Sequence, residues 1–326
     1  MAKLVDVITL GDLMPDAERH LESHGFRLHR TSALSLAEII ATVGPRIRAI
    51  ATHGRVRIDA ALIEQLPALE IIANVGVGYD SVELPAAIQR GIVLTNTPGA
   101  LEDEVADFAV GLLLATVRRL PQADRYLRAG RWLEAPFPLG PTLRDRTVGL
   151  IGMGRIGQRI AKRLTAFEAP VVYHSRRPRA DVPYRYYPDL LSMAGDVDTL
   201  VVIVPGGKET RHLIDGRVLE ALGRRGILIN VARGSVVDED ALVRALQEGT
   251  ILAAGLDVFA DEPHVPRALI ELDNAVLIPH CGSATEYTRA RMGRLVADNL
   301  ISWFEGRGPL TPVPETPSPP AAAQNG

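Results

Sequence analysis

Between residues 147 and 164 the chain reads TVGLIGMGRIGQRIAKRL, an apolar run that breaks into closely spaced glycines and re-emerges as a helix with one apolar face. A strand that enters a helix through so short a bend belongs to a parallel sheet, because the helix must carry the chain back before the next strand begins. Gly152, Gly154 and Gly157 have separate uses in such a bend. The first makes the tight turn, the second leaves room beside a pyrophosphate, and the third lets helix and strand approach closely. Arg155 and Ile156 then open a helix whose unpaired N–H groups and positive dipole end suit phosphates. The glycine spacing alone is weak; between a strand and a helix it specifies a dinucleotide.

The same alternation runs through the chain. Apolar runs at 5–10, 49–52, 70–73 and 92–95 are separated by helical segments at 15–23, 36–42, 59–65 and 84–90. A long helical segment at 102–119 precedes a second series of runs at 148–151, 171–174, 199–204, 226–230, 253–257 and 275–278. Short branched-apolar runs bounded by Gly, Pro, Asn or Asp are the pattern of parallel strands covered on both faces. The expectation is an α/β chain of two doubly wound parallel-sheet domains, for which 326 residues suffice. The last helical segment, 286–304, follows the second sheet and is expected to pack back on the first domain. The expected divisions are 1–98 plus 286–308 and 99–285, with 309–326, six prolines in eighteen residues, as a disordered tail.

Composition removes other classes. Lys and Arg total 36 against 39 Asp and Glu, a net charge of −3 that gives no drive toward nucleic acid or anionic membrane. No apolar stretch is long enough to span a bilayer, and the start meets Asp6 before an apolar run develops, unlike a secretory leader. Cys281 is the only cysteine, which excludes an intrachain disulfide and cysteine-cluster metal sites. A cytoplasmic protein without metal is expected.

The cofactor subtype is read at the end of the next strand. A site for NAD would carry Asp or Glu about twenty residues beyond the glycines, for the ribose hydroxyls. Here the strand runs into Ser175, Arg176 and Arg177 with no acid nearby. Two guanidiniums and a hydroxyl suit a 2′-phosphate, so NADP(H) is preferred; a solvated basic turn would still tolerate NAD(H).

Three further polar residues stand at strand ends, where open α/β sheets present ligands: Arg233, Glu262 and His280. An arginine, a carboxylate and an imidazole can together bind an anionic substrate and move one proton. Singly, each also fits a structural role: an ion-pair arginine, a turn acid, a buried histidine. Their joint occurrence carries the argument.

With ANVGVGYD, NTPGALEDEVADFAVGLLLA, the glycine bend, LINVARGSVVDEDAL, GLDVFADEP and PHCGSAT in this order, the chain resembles the D-2-hydroxyacid dehydrogenases, and within them the NADPH-dependent glyoxylate/hydroxypyruvate reductases. The resemblance implies a flavodoxin-like substrate domain and a Rossmann-type nucleotide domain with the active site in a cleft between them. It implies that Arg233 holds the carboxylate and carbonyl of a small 2-oxoacid and that His280 gives a proton to the carbonyl oxygen as hydride arrives. Glu262 would bind the other imidazole nitrogen, fixing its tautomer and favouring its charged form. Val75, Gly76 and Val77 would offer backbone N–H groups to the substrate carboxylate. Val204, Pro205, Thr210, Val231, Ala232, Asp257, His280 and Gly282 would lie along the cofactor, Asp257 at the nicotinamide carboxamide. It also implies a homodimer, with an aromatic residue from 130–137, Trp132 or Phe137, able to reach the partner or to anchor the interface. Cys281, where relatives more often carry an aliphatic residue, reads as a small packer turned away from His280 by strand alternation. A phosphoglycerate-type dehydrogenase and a dinucleotide-sensing corepressor are the alternatives on the same scaffold. The first lacks here the extra C-terminal domain that many of its kind carry; the second would need no proton donor.

Overall fold

Each apolar run read from the sequence becomes a strand, largely buried, in the computed structural model, which describes residues 4–53 and 56–317. The chain divides into one unit of residues 1–101 with 285–326 and a second of residues 102–284. In the first unit β1 (Val5–Leu10), β2 (Phe26–Arg30), β3 (Ile47–His53), β4 (Ile71–Val75) and β5 (Val93–Thr95) pair in parallel in the order β2-β1-β3-β4-β5. Helices α1 (Pro15–Ser23), α2 (Leu36–Val43), α3 (Ala60–Glu64) and α4 (Leu84–Gln89) return the chain between them. Ile, Leu and Val from β1, β3, β4 and β5 share a core with α2 and α3.

The second unit opens with α5 (Glu102–Val117) and α6 (Leu120–Arg128). It continues through β6 (Val148–Ile151), α7 (Arg155–Ala166), β7 (Val171–His174), β8 (Arg185–Tyr187), α8 (Leu190–Asp196), β9 (Thr199–Val202) and α9 (Gly216–Leu222). It ends with β10 (Ile227–Asn230), α10 (Glu239–Gln247), β11 (Ala253–Leu256), α11 (Arg267–Ile270) and β12 (Ala275–Leu277). Its parallel sheet has the order β12-β11-β10-β9-β6-β7-β8, so the winding reverses between β6 and β9. Ligands of such sheets bind outside the carboxyl ends of the strands at that reversal. The final helix, α12 (Glu286–Phe304), belongs to the first unit. Phe304 meets Phe26 edge-on at 5.7 Å, and Gly293 leaves only 3.1 Å between a would-be Cβ and Ala17 Cβ, so α12 lies tight on α1.

Several expectations are corrected. Strands β2 (FRLHR) and β8 (RYY) carry no apolar run, because both stand at sheet edges where charged and half-exposed side chains are tolerated. The helix expected to reach 119 stops at Val117; Arg119 takes a left-handed conformation (φ 52°) and α6 begins at Leu120 with Pro121 in its first turn. The strand expected to end at His280 stops at Leu277, and His280 sits in a loop at φ 50°. Strand alternation therefore cannot orient Cys281. The two units divide at 101/102 and 284/285, within three residues of the expected 98/99 and 285/286.

Residues 309–317 are not a disordered tail. Val313 is 2% exposed within the first core, and its N–H donates to Leu94 O at 2.9 Å. Thr95 and Pro312 form an antiparallel bridge, so the prolines leave alternate N–H groups free to pair at a sheet edge. Residues 318–326, also expected to be disordered, lie outside the described residues. Among the described residues no helix is long and apolar enough to cross a membrane.

Candidate active site

Two of the three glycines at the end of β6 are required by close backbone carbonyls. Gly152 turns at φ 107°, and a Cβ there would stand 2.5 Å from Ile203 O, beyond the end of β9. A Cβ on Gly157 would stand 2.3 Å from Gly152 O, so the third glycine lets α7 rest on the bend. Gly154 is the N-cap of α7, without a side-chain cap, and a Cβ there would meet nothing within 4 Å. Open space over uncapped N–H groups at Arg155 and Ile156 fits a pyrophosphate, so the residues present suit the dinucleotide the sequence implies. Arg155 turns its guanidinium toward buried Glu102, Nη1 to Oε1 at 3.9 Å.

Ser175 follows β7 and donates from Oγ to Arg177 O at 2.7 Å, while Tyr186 Oη donates to Ser175 O at 3.2 Å. This shapes a turn that leaves Arg176 and Arg177 exposed. Arg176 meets Glu209 at 3.4 Å, an exposed pair of the kind worth little. Glu209 is absent from the sequence reading; it sits in the loop after β9, where Thr210 Oγ1 closes a turn onto Pro205 O at 2.7 Å. In the same loop Val204 Cγ1 stands 3.1 Å from the Cβ position of Gly152. Val204, Pro205 and Thr210 are thus gathered with the glycine bend and the basic turn.

At the end of β10, Asn230 organises the arginine loop. Its Nδ2 donates to Arg233 O and its Oδ1 accepts from Ala232 N, both at 3.0 Å, while Val231 and Ala232 are buried. Arg233 Nη1 donates to Ala232 O at 2.8 Å. A Cβ on Gly234 would stand 1.9 Å from the carbonyl carbon of Phe259, so the arginine loop lies flat on the loop after β11. That second loop carries Glu262, whose Oε1 accepts from Phe259 N at 3.1 Å. The other oxygen, Oε2, is 2.7 Å from His280 Nδ1, which donates to the carboxylate. Backbone contact and side-chain bonds thus join Arg233, Glu262 and His280 in one connected group.

Asp257 is buried and accepts from Cys281 N at 2.7 Å and Gly282 N at 3.0 Å, so it pins the turn just after His280. Burial raises its carboxyl above the ordinary value against the pull of those two amides. Cys281 is half-buried, and burial with the nearby Asp257 charge raises its thiol, which keeps it protonated rather than nucleophilic. Sequence reasoning did not single out Asn230 or Gly234. Their signal is position, Asn230 as the last residue of its strand and Gly234 directly beside the arginine.

The loop containing Val75, Gly76 and Val77 belongs to the first unit. Val75 ends β4; Gly76 turns at φ 124°, its N–H donating to buried Thr97 Oγ1 at 2.9 Å. Asn74 Nδ2 donates to Gly78 O at 2.9 Å from inside the loop. Phe137 packs edge-on to Tyr126 at 5.3 Å, whereas Trp132 is exposed.

The family model for the D-isomer specific 2-hydroxyacid dehydrogenase NAD-binding domain matches residues 110–282. The chain is 43% identical over 309 residues to glyoxylate/hydroxypyruvate reductase A of Arabidopsis thaliana, covering 95% of this chain and 99% of the relative. It is 42% identical to 2-ketogluconate reductase of Gluconobacter oxydans, covering 96% of this chain and all of that protein. The crystal structure of an NADPH-dependent glyoxylate/hydroxypyruvate reductase from Sinorhizobium meliloti, bound to NADP and malonate, superposes with a TM-score of 0.91 at 48% identity, covering 98% of this chain and all of that one. The chain belongs to the D-isomer-specific 2-hydroxyacid dehydrogenases.

Proposed function

We propose that this chain reduces small 2-oxoacids, such as glyoxylate or hydroxypyruvate, to the 2-hydroxyacid, the D form where chiral, with NADPH. The observation that carries the reading is the 2.7 Å bond between His280 Nδ1 and Glu262, in a group continuous with the arginine loop. The bound nucleotide supplies hydride to the carbonyl carbon. His280, its Nδ1 committed to Glu262, gives the proton on Nε2 to the carbonyl oxygen as negative charge develops there. Glu262 keeps that tautomer and balances the positive ring. Arg233 binds the carboxylate and polarises the carbonyl through charge-assisted bonds, and the Val75–Val77 loop binds the carboxylate through the Val77 N–H, since the Gly76 N–H is already given to Thr97 Oγ1. Asp257, which holds Cys281 and Gly282 in place, would contact the carboxamide end of the nucleotide.

Arg176 and Arg177, with no acid at the end of β7, support preference for the 2′-phosphate of NADPH, with NADH tolerated. Exposed Leu120, Leu127, Trp132, Leu133 and Leu139 support assembly as a homodimer through the segment after α5.

The test is NADPH absorbance with glyoxylate, hydroxypyruvate, hydroxyphenylpyruvate and 2-ketogluconate, repeated with NADH and with the His280→Ala variant. Turnover with at least one acid, a higher kcat/KM for NADPH, and a variant that binds NADPH normally but turns over at least about 100-fold more slowly are expected. Folded enzyme inert toward all four acids refutes the activity; wild-type turnover by His280→Ala refutes the donor.

A further inference from the structure

The loop read as the carboxylate binder is held from outside itself. Val77 O accepts from Asn96 Nδ2 at 3.0 Å. Asn96 is in turn gripped along its backbone by Thr311: its N–H donates to Thr311 O at 3.2 Å, and its carbonyl accepts from Thr311 Oγ1 at 2.6 Å. Thr311 is fixed by Asn299 of α12, which is wholly buried. Asn299 Oδ1 accepts from Leu310 N at 2.9 Å and Thr311 N at 3.0 Å, and its Nδ2 donates to Thr311 Oγ1 at 2.9 Å. Every polar position of the threonine hydroxyl has a direction: it accepts from α12 and donates toward Asn96.

Two residues on, Val313 is locked into the core, and Glu315 then reaches the far end of the same loop. Both its oxygens lie 3.1 Å from Tyr79 Oη, which donates to them. Burial and that carboxylate push the Tyr79 phenol up to about 12, so it remains a donor at any working pH. The segment 310–315 therefore meets the loop twice, through Asn96 at Val77 and through Glu315 at Tyr79.

We infer that this C-terminal segment is part of the substrate site, with Thr311 and Asn96 as positioning residues that set the aim of the Val75–Val77 loop, through Val77, at the 2-oxoacid carboxylate. The inference rests on the reading of that loop as the carboxylate binder. A polar relay anchored on a wholly buried asparagine is a stiff support, because Asn299 left unpaired would cost its full desolvation. A segment that was only a packing strap would need Val313 but no such relay.

The experiment uses full-length enzyme and whichever of glyoxylate and hydroxypyruvate it turns over faster. Thr311→Val removes the hydroxyl at constant shape, and Thr311→Ser restores it. Thr311→Val is expected to raise the oxoacid KM about fivefold while kcat and the NADPH KM stay within about twofold, and Thr311→Ser to bring KM back. Asn96→Ala, which keeps the backbone pairing and loses only the Val77 bond, reads the same link if Thr311→Val does not fold. Gly76→Ala is the control on the loop itself, since a Cβ there meets only Asn74 Nδ2 at 3.9 Å and the fold bears backbone strain alone. A raised oxoacid KM in Gly76→Ala with none in Thr311→Val, or equal impairment in Thr311→Val and Thr311→Ser, overturns the inference and leaves the loop reading standing. An unchanged oxoacid KM in Gly76→Ala overturns the loop reading and the inference with it.

Discussion

Gly152, Gly154 and Gly157 are one letter repeated, yet each answers a different physical demand. Gly152 and Gly157 are required by the protein's own carbonyls, at 2.5 and 2.3 Å from a would-be Cβ, whereas Gly154 faces open space. Gly157→Ala is therefore expected to destabilise the fold by about 2–3 kcal/mol, measured by urea unfolding. Gly154→Ala should unfold like the wild type but raise the NADPH KM, and a normal KM would separate that glycine from the cofactor. Asp257 gives a pH signature. Its carboxyl is raised by burial above its unfolded value, so the stability it contributes is complete below about pH 4 and is lost as pH rises through the folded value. The stability gap between wild type and Asp257→Asn should thus narrow from acid to neutral pH. A gap that stays constant, or widens, contradicts the assignment.

At the scale of elements, the proposed chemistry falls on loops at the carboxyl ends of β10, β11 and β12, and one glycine couples two of them. A Cβ on Gly234 would stand 2.0 Å from Phe259 O and 2.4 Å from Ala260 N, and neither backbone atom can swing aside as a side-chain tip would. Gly234→Ala should separate the arginine loop from the glutamate loop, lowering kcat at least about tenfold along with Tm. Normal kcat in the folded variant would show that this contact does not set the geometry. Apolar strands were legible from sequence because a strand buried on both faces must be apolar on both. Strands β2 and β8 were not, because their edge positions remove that requirement and leave FRLHR and RYY looking like loop. The loop at His280 was misread as strand for a related reason: its apolar run continues to Ile278 although pairing stops at Leu277.

At the scale of the whole molecule, the segment after α5 leaves Leu133 at 93% exposure and Leu139 fully exposed. Side chains so placed favour burial against a second copy. Sedimentation should find a dimer, and Leu133→Asp with Leu139→Asp should shift it toward monomer; a monomeric wild type would refute that assembly. The sequence by itself determined the parallel α/β class and the dinucleotide bend, and it singled out Arg233, Glu262 and His280 as candidates. These are written locally, as periodicity and as residue types that turns and strand ends demand. Only the tertiary structure decided how the three are joined, through Gly234 on Phe259 and Nδ1 on Glu262, and that residues 309–317 are built into the fold. Contacts between segments far apart in the chain depend on where the backbone returns, and a proline-rich stretch reads the same whether or not a sheet edge waits to pair with it.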